Sequence, residues 1–310
     1  MPTWKNYVDY SIGAAAYLFN RYFSKAMTAK LTPVEPIALL SPKVHRILGM
    51  NPGAFTLQGT NTYLVGTGKS KILIDTGDAG IEKYIENLGS VLGENKIEGI
   101  IITHWHHDHV GGIPAVLEKF CGGTKGAAPP VPIYKIKRPD GADSNVDYTY
   151  IEDGHVLKTE GATLKLVATP GHTTDHIVVY LEEENAIFSG DCILGEGTTV
   201  FEDLYTYMKS LDVLREIQPS RIYPGHGPVI EEPVAKISEY IEHRMKRETE
   251  IVKALGELSE GSSMDITKIV YKDINMAVLL AAANNVRHHL SKLVKDERVI
   301  LVSPDWYKLA

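Results

Sequence analysis

Thr103-His104-Trp105-His106-His107-Asp108-His109 packs four histidines and a carboxylate into one short stretch. In an extended segment, residues two apart face the same side, so His104 and His106 can aim at one point. Asp108 and His109 follow where the chain turns towards Gly111-Gly112, and can aim at a second point. Neutral imidazole with carboxylate oxygen is a donor set suited to Zn²⁺. Three further residues extend the pattern. His172 lies in Thr169-Pro170-Gly171-His172-Thr173, Asp191 in Phe188-Ser189-Gly190-Asp191, and His226 in Tyr223-Pro224-Gly225-His226-Gly227. Each follows a strand-like run on a glycine-containing turn, where the backbone is free to point a side chain inward. A lone histidine pair would mean little, but seven such residues in these settings point to a two-metal hydrolytic centre. Two ions roughly 3.5–4 Å apart can activate water near neutral pH and clamp a scissile group.

The elements that must position these residues are legible as short β-prone runs. Asn61–Val65 and Lys71–Asp75 flank Gly66-Thr67-Gly68, which reads as a hairpin turn. Helical spacing runs from Asp78 to Leu92, and Gly99–Thr103 is a buried strand leading into the histidine cluster. Strands are expected at Thr163–Ala168, His176–Leu181, Ala186–Phe188 and Arg221–Tyr223, with helix over Phe201–Ile217. Gly122 to Asp147 reads as a loop. Mixed strands and helices of this kind suit an α/β sandwich with helices outside. After Pro233 the pattern becomes helix (Val234–Leu258), helix (Met264–Tyr271), helix (Val278–Val294) and a terminal hairpin from Val299, the outline of a winged-helix unit. Its charge is nearly balanced, which favours a packing module over DNA binding, although Arg287, His288, His289 and Lys292 form a basic stretch that could meet phosphates. The expected organisation is an N-terminal extension over 1–43, a main domain over 44–232 and a winged-helix-like domain over 233–310.

Net charge of −7 over 310 residues argues against a uniformly basic nucleic-acid binder. Two cysteines, Cys121 and Cys192, argue against a disulfide framework and fit a reducing compartment. No apolar run reaches the length of a membrane span. In the first thirty residues Trp4, Tyr7, Val8, Ile12, Leu18, Phe19, Tyr22 and Phe23 recur at helical spacing, with Asp9 the sole acid. That is the character of a mitochondrial presequence, or of an extra helix packed on the domain.

The series HxHxDH, PGHT, SGD and PGHG resembles the metallo-β-lactamase superfamily, over about Val44 to Ile230. The resemblance implies an αββα sandwich and two zinc ions per chain. It places one on His104, His106 and His172 and the other on Asp108, His109 and His226, with Asp191 bridging. It also gives Asp108 the task of orienting the attacking hydroxide. His107 matches no ligand position. Asp75 and, less directly, Thr103 and Thr173 are candidates for holding ligand histidines from behind; His176 reads as structural or as a proton donor to the leaving group.

Gln58–Gly68, Glu182–Leu204 and Ile222–Ile230, together with the tail, resemble more narrowly the animal β-lactamase-like protein 2 (lactamase beta 2) family. This implies a zinc-dependent endoribonuclease acting on single-stranded RNA in the mitochondrial matrix, with the cytoplasm as the other setting. The same ligands serve acyl-thioester hydrolases of the glyoxalase II type, which is the competing reading. Iron-based oxygen chemistry fits the full second donor set less well.

Overall fold

The computed structural model describes residues 31–310 apart from 125, 144–145 and 273–275; the presequence-like stretch lies outside the described residues. The chain divides into two compact units. Among the described residues, one comprises Leu31–Glu202 and Thr206–Ser238, and the other Asp203–Tyr205 and Glu239–Ala310.

The larger unit is built on two sheets. The first has seven strands in sequential order: β1 (Ile37–Ser41), β2 (Val44–Leu48), β3 (Asn61–Val65), β4 (Ser70–Ile74), β5 (Lys96–Ile101), β6 (Ile133–Ile136) and β7 (Thr149–Ile151). β1 to β4 pair antiparallel, and β4 to β7 run parallel. The second sheet orders β12 (Arg221–Pro224), β11 (Ala186–Gly190), β10 (Ile177–Leu181), β9 (Ala162–Ala168) and β8 (Val156–Thr159).

Strand side chains alternate between faces with a period of two, and the burial follows that rule. Tyr63, Val65, Ile72 and Ile74 pack inward against Leu164, Leu166, Val179, Phe188 and Tyr223 of the second sheet. Leu64, Leu73, Ile100 and Ile102 point to the opposite face. There they meet Tyr84, Leu88 and Leu92 of α1 (Glu82–Leu92) and Ile113 and Val116 of α3 (Ile113–Phe120). A short helix α2 (His107–Val110) precedes α3. α4 (Leu204–Ile217) meets the turns at the ends of the second sheet's strands: Ser210 Oγ donates to Pro170 O at 2.7 Å and the Tyr207 hydroxyl to Cys192 O at 2.7 Å.

Three expectations change in detail. The stretch Gly122 to Asp147 is not all loop: β6 lies inside it, and its Lys135 is fully buried. β1 falls in the stretch assigned to the N-terminal extension, yet forms the outer strand of the seven-stranded sheet. The long helix expected to open the winged-helix-like domain, α5 (Pro233–Leu258), is shared between the units: its residues up to Ser238 belong to the larger and those from Glu239 to the smaller.

The smaller unit packs Ile251, Leu255, Ile266, Val286, Leu290, Leu293 and Val299 into one core. These come from α5, α6 (Ser263–Val270), α7 (Met276–Lys295) and a sheet ordered β13 (Glu260–Ser262), β15 (Trp306–Leu309), β14 (Val299–Ser303). Ser262 caps α6, accepting from Asp265 N while Asp265 receives the Ser262 backbone N–H in return. The basic stretch of α7 spends its charge internally. Lys292 pairs with Glu248 and Asp296, Arg287 with Asp305, and His289 is buried. No helix among the described residues is long and apolar enough to cross a membrane.

Candidate metal centre

All seven residues singled out in the sequence converge at strand ends. His104, His106, Asp108 and His109 follow β5; His172 sits in the β9–β10 turn; Asp191 follows β11 and His226 follows β12. They fall into two groups, His104, His106, His172 and Asp191, and Asp108, His109 and His226, with the donor atoms of each group lying within 4.8 Å of one another. The Asp191 carboxylate straddles the two. Its Oδ2 faces His172 Nε2 at 3.6 Å and His104 Nε2 at 3.9 Å, and its Oδ1 faces His226 Nε2 at 3.2 Å and His109 Nε2 at 3.5 Å.

The tautomers follow from what stands behind each ring. His109 Nδ1 lies 2.8 Å from Asp75 Oδ2, His172 Nδ1 lies 2.7 Å from Val200 O, and His226 Nδ1 lies 3.3 Å from Gly59 O. Those oxygens only accept, so each Nδ1 donates, and in the neutral ring Nε2 presents a lone pair to the centre. His104 obeys the same logic one step removed. The Thr103 hydroxyl donates to Asp75 Oδ2 at 2.9 Å, so it accepts from His104 Nδ1 at 3.0 Å.

These assignments are what a cation requires. His104 Nε2, His172 Nε2 and His106 Nδ1 stand 3.0, 3.1 and 3.2 Å apart in a mutual triangle. Protons cannot satisfy three imidazole nitrogens facing one another, but a divalent ion between them can. His109 Nε2 is buried beside Asp108 and Asp191 without a hydrogen bond of its own. The residues therefore fit metal in both groups.

The electrostatics of the two groups differ. Burial, followed by repulsion from His109, His106 and His172, pushes His104 well below the ordinary histidine range, and burial with His172 takes His106 down to about 3. Burial also lowers His226, but attraction to Asp191 and Asp108 outweighs it and leaves His226 at about 10; the same balance raises His109 well above normal. Burial opposes ionisation of Asp191 and Asp108, yet the adjacent His226 and His109 hold both carboxylates well below the usual range. The first group is thus a nest of neutral nitrogens beside one carboxylate oxygen, whereas His109 and His226 face both Asp108 and Asp191, whose negative charge favours a cation there, either a proton on Nε2 or a metal ion in its place.

The turns that carry these seven residues are tightly fastened. Asp75, at φ +58°, is a non-glycine residue in the left-handed region at the end of β4; there its carboxylate takes the Thr103 N–H at 2.8 Å as well as His109. Asn61 holds the His226 turn, donating through Nδ2 to Pro224 O and Gly227 O, both at 2.9 Å, and through its backbone N–H to Gly225 O. Thr60 Oγ1 donates to Asp108 Oδ2 at 2.8 Å. A Cβ at Gly225 would stand 2.4 Å from Asp191 Oδ1, so glycine is required there by the close approach of the carboxylate. Thr173 bonds Asp175 rather than a ligand histidine, and Asp175 in turn pairs with Lys135 at 2.7 Å. His107 turns outward to Asp78 at 2.6 Å, away from both groups. The parts played by Thr60 and Asn61 were not read from the sequence; the signal was a Thr-Asn pair at the start of a strand facing the PGHG turn. Beside His106, Trp105 packs at 4.6 Å between ring centroids and carries the Arg138 guanidinium 4.4 Å above its ring.

A family model described as the metallo-β-lactamase superfamily matches residues 55–226, and one for the β-lactamase-associated winged helix domain matches 262–306. A Caenorhabditis elegans protein named β-lactamase-like protein 2 homolog is 57% identical over 269 residues, which is 86% of this chain and 89% of that protein. A Drosophila melanogaster protein of the same name is 47% identical over 86% of this chain and 92% of its own length. An atrochrysone carboxyl ACP thioesterase from Aspergillus chevalieri is 44% identical over 76% of this chain and 73% of its own length. Among solved structures, a β-lactamase domain protein from Burkholderia ambifaria matches in fold with a TM-score of 0.76 at 19% identity, over 92% of this chain and 96% of that one.

Proposed function

Because the chain belongs to the metallo-β-lactamase superfamily of hydrolases, we propose that it is a two-zinc endoribonuclease that cuts single-stranded RNA internally. The observation that carries the two-ion part is the Asp191 carboxylate, with one oxygen turned to each donor group. The RNA part rests on the resemblance of Gln58–Gly68, Glu182–Leu204 and Ile222–Ile230 to the β-lactamase-like protein 2 family, in keeping with the 57% identical relative of that name.

Bound at these two groups, divalent ions would supply a water acidified towards neutral pH and positive charge against the scissile phosphate. The chain's own residues do the rest. Asp108 stays ionised, so it accepts a hydrogen bond from the attacking water and orients it. Thr60 Oγ1 fixes the Asp108 carboxylate for that task. Asp75 and Val200 O keep the proton of His109 and His172 on Nδ1, away from the centre. Trp105, beside His106, offers an aromatic surface for a base, and Arg138, stacked on its ring and paired with Asp140 at 2.6 Å, is a guanidinium that a phosphate would have to share with that carboxylate. A flexible strand can bend a phosphodiester into such a centre, whereas an A-form duplex holds its phosphates in a fixed helix.

A second reading is acyl-thioester hydrolysis, favoured by the 44% identity to a fungal thioesterase. The same ligands suit a thioester carbonyl. One experiment separates them: labelled single-stranded RNA, duplex RNA and an acyl-glutathione thioester are each incubated with the protein, with and without chelator. Chelator-sensitive internal cuts in single-stranded RNA, with duplex cut at least about tenfold more slowly, support the nuclease. Rapid thioester cleavage with intact RNA, abolished in Asp108→Ala, replaces it. The presequence-like first thirty residues lead us to place this activity in the mitochondrial matrix, which a fusion of residues 1–30 to a fluorescent protein tests directly.

A further inference from the structure

Asp191 can serve two donor groups only if its backbone is held at one angle, because both of its oxygens are committed by direction. Its turn, Ser189-Gly190-Asp191, leaves β11 with Gly190 at φ +47°, a conformation that does not by itself lock the next peptide. The peptide is held from two sides: its carbonyl, Gly190 O, accepts from Gly225 N–H at 2.8 Å, and its N–H is held by a histidine outside both groups. The Asp191 backbone N–H donates to His176 Nε2 at 3.1 Å. His176 Nδ1 lies 2.8 Å from Thr169 Oγ1, and the ring is fully buried.

One of these contacts fixes the other. A backbone N–H can only donate, so Nε2 of His176 must be the accepting, unprotonated nitrogen. The ring's single proton therefore sits on Nδ1 and is donated to the Thr169 hydroxyl. Both nitrogens are used, and neither is available to hand a proton to a leaving group, which removes the proton-donor role from His176. The fit is close: a Cβ at Gly190 would come within 2.7 Å of His176 Nε2 and 3.1 Å of Thr103 Oγ1. Thr169 is bound a second time, its backbone N–H donating to His176 O at 2.9 Å. The β9–β10 turn that carries His172 is thereby tied through His176 to the turn that carries Asp191.

We propose that His176 is a positioning residue for the Asp191 carboxylate, holding its peptide through an Nδ1–H tautomer anchored on Thr169. The inference rests on the two-ion reading for its consequence, though not for its geometry. Two substitutions separate position from bulk. His176→Gln keeps an acceptor oxygen close to where Nε2 stands, and His176→Leu keeps similar volume without one.

The test reads metal and tautomer, not turnover. Nitrogen-15 NMR of the full chain should show His176 protonated on Nδ1 alone, both before and after zinc addition. In His176→Leu, a competing chelator should remove the more weakly held ion at least about tenfold more readily, and the cobalt-substituted protein should show altered visible bands. His176→Gln should stay within about threefold of wild type and keep the bands. If His176→Leu does not fold, Thr169→Val decides: it removes the partner of Nδ1–H, and it should shift the cobalt bands in a folded protein. A proton on Nε2 in the wild type, or unchanged cobalt bands and metal retention in a folded His176→Leu or Thr169→Val, overturns the proposal. A wild-type protein that binds one ion with the Nδ1–H tautomer intact would instead overturn the two-ion reading and leave the His176–Asp191 hydrogen bond standing.

Discussion

Asp75 Oδ2 receives the Nδ1–H of His109 at 2.8 Å, and the same carboxylate also receives the hydroxyl and backbone N–H of Thr103. One side chain thus orients one donor directly and, through Thr103, sets the tautomer of His104 in the other group. Asp75→Asn replaces one acceptor oxygen with a donor that must face either the Thr103 N–H at the Oδ1 position or both the Thr103 hydroxyl and His109 Nδ1–H at Oδ2. Metal affinity should fall about 10–100-fold while the fold survives. Competition with a calibrated chelator measures it, and unchanged affinity would remove Asp75 from the centre's support.

Asp191→Ala should lose more than about a thousandfold in turnover and also lose metal, because a single carboxylate faces both groups. His107→Ala should change turnover by less than about threefold, since its side chain is largely exposed and pairs with Asp78. Elemental analysis and initial rates on the two variants side by side check the contrast. Equal losses in both would show that the grouping is wrong.

The buried Lys135 ammonium pairs with Asp143 at 2.6 Å and Asp175 at 2.7 Å. Lys135→Met leaves two carboxylates without their counter-charge, one of them, Asp175, in the turn that carries His172. Removing one partner from such a buried network costs about 3–5 kcal/mol. Urea unfolding should show that loss, together with a weaker grip on metal. A stability change under about 1 kcal/mol would mean that water reaches the carboxylates.

Arg138→Ala removes a guanidinium from the face of Trp105. Binding of single-stranded RNA to an Asp108→Ala background should weaken about three- to tenfold, with a shallower dependence on salt. Anisotropy titrations at several salt concentrations read both. If RNA affinity is unmoved, the Trp105–Arg138 pair is only packing.

The seven candidate residues were legible in the sequence because four are clustered at the end of one β-prone run and the other three each lie where such a run meets a glycine turn, and strand ends of this kind converge in a sandwich. The hairpin of β3 and β4, the run into His104 and the long helix α5 were equally legible, since their periodicity or turn chemistry is local. β6 was hidden by the proline- and glycine-containing stretch around it, and by Lys135, whose burial depends on carboxylates distant in sequence or beyond a turn. The tasks of Thr60, Asn61 and His176 were hidden for the same reason. A threonine or asparagine at a strand start says nothing of the turn it will hold until the sheets are assembled. The basic stretch of α7 was legible as a run of charges, but its partners were not: Arg287 pairs with Asp305 and Lys292 with Glu248, which meet only once the smaller unit is assembled.

The two donor groups draw on segments that follow β5, β9, β11 and β12, and so on both sheets of the larger unit. An ion gripped by such segments closes long loops of chain, as a covalent cross-link would, and adds its binding free energy to folding. Copies made when the metal is scarce would open more often and be cleared by proteases sooner. The abundance of this protein in a cell should therefore follow the supply of its metal, zinc under the proposed function, even where transcription is constant.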